Sequence, residues 1–305
     1  MAGSDAAGRE QAAASTARRA RAGDFVELTK PRVVLMVLAS TAAGFYLGSK
    51  GHLDHLALLN TLLGTALAAG GTVALNQFLE RDADARMHRT RRRPLPEGRL
   101  SPRQAWVFGV GITAAGLLHL TLAVRPLCGL VTALIVGSYL LVYTPLKRRT
   151  PLCTVIGAFP GGLPPVAGWV AARGEIGLEA LVLFSILFLW QLPHSLAIAL
   201  LYREDYARAG FRLLPVVEPD GGSTGRQIVC NCVALLAVGL LPTLIGLAGP
   251  VYFAAAFLLG AVFLWSGVET AMHRSPARAR RLLRVSLAYL PLVLALMALD
   301  KAAPL

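Results

Sequence analysis

Apolar runs long enough to cross a bilayer recur nine times along this 305-residue chain, and that recurrence limits its fold more than any other feature. A spanning helix needs about 20 apolar residues. The runs cover 33–49, 55–79, 104–124, 127–143, 152–172, 178–201, 227–247, 251–270 and 285–299. Composition agrees: 15% of residues are charged and mean hydropathy is +0.58, where a soluble domain carries about a quarter charged residues. In hydrocarbon every backbone polar group must bond within its own helix or a closed barrel. Helix-length runs therefore predict an all-α polytopic membrane protein. The fifth run carries Pro160, Pro164, Pro165 and several glycines, which predicts a broken or kinked helix.

The basic residues test the count. Of 30 Lys and Arg, 26 fall in the N-terminal stretch to Arg32 or in the loops after runs two, four, six and eight. The alternate loops and the C-terminus hold only Lys50, Arg125, Arg173 and Lys301. Cytoplasmic loops concentrate Lys and Arg, so the bias predicts a cytoplasmic N-terminus and a C-terminus on the opposite side of the cell (inner or plasma) membrane. A miscounted span would scramble this alternation. The net charge of +13 is thus mostly topological and calls for no nucleic acid; part of it is suited to anionic lipid.

Residues 1–24 are rich in Ala, Ser and Arg with no apolar centre. They do not read as a cleaved signal but as a disordered, solvated cytoplasmic tail before a single membrane domain over 25–305. Cys128, Cys153, Cys230 and Cys232 lie mostly in apolar runs, with no metal-ligand spacing, and read as packing residues.

The stretch NQFLERDADARMHRTRRRP, residues 76–94, ends the second run in acids and then adds arginines. Asn76, Glu80 and Asp84 follow at four-residue steps. Each step turns a helix by about 40°, so the three share one face. Asp82 points elsewhere and is expected to pair with Arg81 or Arg86. Carboxylates at a helix C-terminus oppose the macrodipole. They form either a solvated helix end or a cation site. A hard cation such as Mg²⁺ takes one or two carboxylates plus substrate phosphates, and the arginines complement phosphate oxygens. A second acidic pair, Glu204 and Asp205, follows the sixth run in LYREDYARAGFRLLPVV, 201–217. Loop alternation places it on the same membrane face. Two acidic helix ends four spans apart hint at an internal duplication and together suit Mg²⁺ bridged by a diphosphate. YTPLKRRTP, 143–151, shares that face. It is either a plain basic loop or, through Lys147 and Arg148, a holder of diphosphate oxygens. Within the sixth run Gln191, His194 and Ser195 break the apolar pattern. Such groups face a bundle interior or a cavity, so His194 is either an interhelical hydrogen-bonder or part of an acceptor pocket.

ELTKPRVVLMVLAS (27–40), NQFLERDADARMHRTRRRPLPEGRLSP (76–102), YTPLKRRTP (143–151), GGLPPVAGW (161–169) and WQLPHSLAIALLYREDYARAGFRLLPVV (190–217) resemble the protoheme IX farnesyltransferases, or heme O synthases. These form a branch of the UbiA-type membrane prenyltransferases. The resemblance covers about residues 25–300. The first acidic stretch marks the superfamily; KRRTP and the WQLPHS to LPVV block mark the heme branch. It implies nine transmembrane helices around a central cavity, with two acidic motifs at its mouth. Asn76, Glu80, Asp84 and Asp205 take catalytic positions by this likeness, and Glu80, Asp84 and Asp205 hold Mg²⁺. Arg89, Lys147 and Arg148 bind diphosphate, while His194 and Tyr202 belong to the acceptor pocket, where His194 would handle a proton or approach a porphyrin or its iron. Glu80 stands where bacterial members commonly show Asp. The second motif is reduced: Asp205 is the match, Tyr202 lies three residues before it, and Glu204 carries less weight.

The implied reaction joins the farnesyl group of farnesyl diphosphate to the vinyl group of heme B with addition of water, giving heme O and diphosphate. Metal and cations stabilise the leaving group, and burial shields the allylic cation from bulk water. A heme A synthase or oxidase assembly factor would receive the product. Two rivals stand beside this reading. A prenyltransferase for an aromatic or quinone precursor would share the metal site and differ in the acceptor pocket. A transporter or heme-binding permease would also suit a broken helix and intramembrane polar groups, but needs neither Mg²⁺ nor two facing acidic mouths.

Overall fold

A computed structural model of the chain describes residues 22–302. A helical stretch over 22–28 precedes the first span, so the ordered body begins ahead of the residue 25 boundary read from sequence; residues 1–21 of the expected tail lie outside the described residues. Nine helical spans long and apolar enough to cross a membrane follow among the described residues. They are α1 (Pro31–Gly48), α2 (His55–Asp84), α3 (Pro102–His119), α4 (Pro126–Gly137), the in-line pair α5 (Cys153–Gly162) and α6 (Pro164–Arg173), α7 (Leu178–Leu201), then α10 (Gly222–Leu244), α11 (Pro250–His273) and α12 (Pro276–Leu299). Two short helices, α8 (Arg203–Arg208) and α9 (Leu214–Val217), fill the loop after α7. The spans expected from hydropathy correspond one to one, and the fifth is broken at Leu163 as its prolines predict.

Local chemistry starts and stops these helices. Proline stands in the first turn of α1, α3, α4, α6, α11 and α12, where its missing N–H loses no bond. The Asp54 carboxylate caps α2 by accepting from Ala57 N at 2.9 Å, and Ser101 with Gln104 forms a capping box on α3. Gly174, at φ 82°, ends α6 in a left-handed turn that favours glycine. The ends of α3 and α4 widen into π-helical turns, Leu120–Val124 and Ser138–Tyr143. Such turns recur at functional sites, and the second lies beside the acidic end of α2 through the Asn76 to Thr144 hydrogen bond.

The helices close into a ring. α1 packs on α2 and α6, and α2 on α3. α7 joins the halves by touching α5, α10 and α12, and α12 returns to α1. Side chains such as Phe45, Trp169, Ile186, Tyr252, Phe263 and Tyr289 fill the interior. Leu56, Leu122, Leu258 and Leu299 are exposed on the outside, as lipid requires. With no water to drive burial there, membrane helices associate by close packing across small residues. The α1–α6 seam depends on this. A Cβ on Gly168 would collide with the Thr41 carbonyl oxygen and lie 2.8 Å from Phe45 N, and one on Gly44 would collide with the Pro165 carbonyl.

That seam can be tested. Gly168→Ala must force α1 from α6 and is expected to destabilise the protein by about 1–3 kcal/mol, read as a lowered thermal midpoint in detergent. Gly111→Ala on α3, where a Cβ meets nothing within 4 Å among the described residues, is expected to leave the midpoint unchanged.

Candidate active site

The shared face predicted for α2 is present, and it is buried. Asn76, Glu80 and Asp84 are 3%, 7% and 1% exposed. Each receives one partner from another element. Asn76 donates to Thr144 Oγ1 at 3.0 Å. The Lys147 ammonium donates to Glu80 Oε1 at 2.8 Å, and the Arg93 guanidinium to Asp84 Oδ2 at 2.7 Å. Two acids at the negative end of a 30-residue helix are thus neutralised by cations from the loops that follow α2 and α4. Removing one member of such a buried pair leaves the other charge uncompensated, at about 3–5 kcal/mol. Asp82 faces outward as expected, 3.8 Å from Arg81.

The second acidic element meets the first. Asp205, in the first turn of α8, accepts backbone N–H bonds from His88 at 3.2 Å and Arg89 at 3.3 Å, and pairs with Arg208. It therefore rests on the turn that begins at Asp84. Burial raises its carboxyl, but the two N–H donors and Arg208 outweigh it and hold the group below the usual range. Ala83 and Met87 pack on Ala209 and Phe211 beneath this junction. Glu204 is exposed and has no ion pair among the described residues.

Lys147 is bracketed by aromatic faces, 4.4 Å from the Tyr143 ring and 6.0 Å from Tyr139 and Phe211. Burial alone would lower its ammonium; Tyr143 and Glu80 overcome that and raise it above the ordinary lysine value, so it stays charged. Arg89 stacks over Tyr202 at 4.8 Å and donates to Tyr206 Oη at 3.1 Å. Lys30, ahead of α1, adds a cation that the sequence reading did not weigh. Its backbone is left-handed, φ 48°, an unusual state for a non-glycine residue. Burial and the neighbouring Arg93 push its ammonium down to about 7, against the pull of Asp84.

Two cavities open beneath this charged roof. One of about 260 Å³ is lined by Arg89, Tyr143, Gln191, Ser195 and Tyr206. A more apolar one of about 200 Å³ is lined by Val33, Val37, Val73, Ile135 and Pro164. Tyr139 and Gly161 border both.

Three sequence assignments shift. His194 does not line either cavity. Its ring bonds Ser286 Oγ on α12 at 2.8 Å and stacks on Trp190, whose Nε1 donates to the Ser286 carbonyl. One residue turns a helix by about 100°, so Ser195 faces the cavity while His194 faces α12. Tyr202 stands outside the 260 Å³ cavity, against Arg89, and Tyr206 one turn later takes its place on the wall. Arg148 is exposed with no ion pair among the described residues; Arg93, which was not singled out, is the arginine that turns inward. The Tyr143–Lys147 spacing of i, i+4 was a readable signal for the aromatic bracket.

Glu80, Asp84 and Asp205 offer hard carboxylate oxygens suited to Mg²⁺. They are not gathered in advance: no group of three His, Cys, Asp or Glu with metal-holding geometry occurs among the described residues. Each carboxylate already accepts from a cation or from N–H donors, so a metal would have to take over those bonds.

Residues 37–290 match the UbiA prenyltransferase family. A protoheme IX farnesyltransferase of Solibacter usitatus is 49% identical over 287 residues, spanning 91% of this chain and 98% of the relative. A digeranylgeranylglyceryl phosphate synthase has a similar fold, with TM-score 0.77 at 16% identity over 91% of this chain and 97% of that one. So does a UbiA homolog from Archaeoglobus fulgidus bound to GPP and Mg²⁺, with TM-score 0.62 at 17% identity over 90% and 99%. With nine membrane-length helices among the described residues and a family match across most of its length, this multi-pass membrane protein belongs to the UbiA prenyltransferase family.

Proposed function

We propose that this chain is a protoheme IX farnesyltransferase: it transfers the farnesyl group of farnesyl diphosphate to a vinyl group of heme B, with addition of water, to give heme O and diphosphate. The observation that carries this reading is the buried line Glu80–Asp84 with its cations Lys147 and Arg93, about two helical turns along α2 from Val73 on the wall of an apolar cavity. It is supported by the 49% identity to a protein of that name over nearly its whole length.

The residues divide the work. The apolar cavity takes the farnesyl chain, and the cavity with Gln191, Ser195 and Tyr206 takes the porphyrin edge. Tyr139 and Gly161 mark the border where C1 of the farnesyl group meets the vinyl carbon. Lys30, Arg89, Arg93 and Lys147 would receive the diphosphate oxygens. The C1–O bond breaks with its electron pair leaving on diphosphate. The vinyl carbon supplies the pair for the new C–C bond, water adds its oxygen to the remaining electron-poor carbon, and a proton departs. The chain's cations stabilise the charge that grows on the leaving diphosphate, and apolar walls keep other water from the allylic cation.

Glu80, Asp84 and Asp205 fit Mg²⁺ in donor type, and a structural neighbour carries Mg²⁺ with its prenyl diphosphate. When bound, the metal would neutralise phosphate charge as a Lewis acid. Lys147 and Arg93, released from the carboxylates, would turn to the phosphate oxygens. The active mouth faces the cytoplasm of the inner membrane, because the loops around it carry most of the chain's basic residues. A heme A synthase or oxidase assembly factor is the expected recipient of heme O.

Membranes containing the protein, given heme B, farnesyl diphosphate and Mg²⁺, are expected to form heme O by mass. Asp84→Asn should lower kcat/KM by roughly 10²–10³-fold; undiminished activity would remove the metal assignment. The Lys30 ammonium is charged below its depressed value of about 7 and neutral above it. On this basis kcat/KM for farnesyl diphosphate should fall as pH rises through about 7, and Lys30→Arg, charged throughout, should shift that fall to higher pH. Arg91→Cys and Ile176→Cys, both at exposed positions, labelled with an impermeant reagent in spheroplasts, should react only at 176.

A further inference from the structure

The apolar cavity has an unusual floor. Its walls near the charged mouth are Val33, Val73, Val136 and Pro160. At the deep end stand Thr41, Thr65 and Thr132, with Ala167 beside them. The helical rise places Thr41 about 15 Å beyond Pro31, and Thr65 about 22 Å below Glu80. Polarity therefore returns where the chamber ends.

The hydroxyls there are not alike. Thr132 donates to the Cys128 carbonyl at 2.9 Å, and Thr72, higher on the wall, to the Ala68 carbonyl at 2.7 Å. Thr61 and Thr113, buried elsewhere in α2 and α3, also bond back to the carbonyl four residues earlier. Thr41 Oγ1 and Thr65 Oγ1 are buried with no partner among the described residues. An unmade hydrogen bond is unfavourable in any interior and more so at membrane depth, where lipid supplies no substitute. Two such hydroxyls on one cavity indicate a small hydrogen-bonding occupant, for which water has the right size and valence.

We propose that Thr41 and Thr65 form the floor of the prenyl-chain chamber: their hydroxyls hold water there, and this wet floor sets how many isoprene units the chamber admits. A chain of three units ends above the water. A fourth must displace it and leave two hydroxyls bare against hydrocarbon, which an apolar tail cannot repair. The assignment rests on reading the cavity as the site of the farnesyl chain.

Valine matches threonine in shape without its hydroxyl, so the test changes polarity and not volume. Initial rates with heme B and geranyl, farnesyl or geranylgeranyl diphosphate are measured for the wild type, Thr41→Val, Thr65→Val and the double variant. The double variant is expected to raise the geranylgeranyl-to-farnesyl ratio of kcat/KM by roughly tenfold. If it fails to fold, either single variant carries the test with a shift of about threefold. Thr72→Val lines the same cavity, but its hydroxyl is already bonded to its own helix, and it should leave the ratio as it was. An unchanged ratio in the folded Thr41 and Thr65 variants, or an equal shift from Thr72→Val, overturns the floor while leaving farnesyl transfer intact. A wild-type protein that transfers no prenyl chain to heme B overturns the transfer reading, and the floor with it.

Discussion

Two carboxylates buried at the wrong end of a long helix are the constraint on which the rest of the site depends. Glu80 and Asp84 sit where the α2 macrodipole is already negative, and both are removed from water. The chain answers with Lys147 and Arg93 at 2.8 and 2.7 Å. These two contacts draw the loops after α2 and α4 over the mouth of the ring, and the Asp205 cap on His88 and Arg89 adds the loop after α7. The compensation for the two acids comes from the chain's own Lys147 and Arg93. The same cations are then stored beside the place where a diphosphate would need them.

Beneath that roof the fold separates two chemical environments. α1, α2, α4, α5 and α6 enclose a mainly aliphatic space, and α7 brings amide and hydroxyl groups to the neighbouring cavity. The π-helical turn at Ser138–Tyr143 carries Tyr139 to the border, with Thr144 bonding back five residues to its carbonyl at 2.8 Å. The break at Leu163 lets α6 approach α1 at Gly44 and Gly168 while α5 remains against α7. Close packing and cavity shape are consequences of the same interrupted span.

Much of this was legible in the sequence because it is local or periodic. Apolar length fixes the spans, loop charge their alternation, and four-residue spacing the acidic face of α2. The proline cluster marks the broken fifth span. What escaped depends on contacts between distant segments. Nothing periodic distinguishes Arg93 from its seven basic neighbours in 80–103, and only the folded loop turns it onto Asp84. Lys30 reads as an ordinary residue before proline; only the fold brings it near Arg93, Asp84, Lys147 and Glu80. The His194 position lies beside Gln191 and Ser195 in the sequence, yet helical rotation sets it about 100° from Ser195, and Ser286 lies 92 residues away on the helix that claims it.

On the proposed function, Glu80 and Asp84 would give up their built-in cations when diphosphate and Mg²⁺ bind. Calorimetric titration of the purified protein with inorganic diphosphate tests it most directly. The account predicts binding in Mg²⁺ that weakens by at least roughly tenfold in chelator, since without the metal Lys147 and Arg93 stay committed to the carboxylates. Diphosphate bound as tightly in chelator as in Mg²⁺ would contradict it.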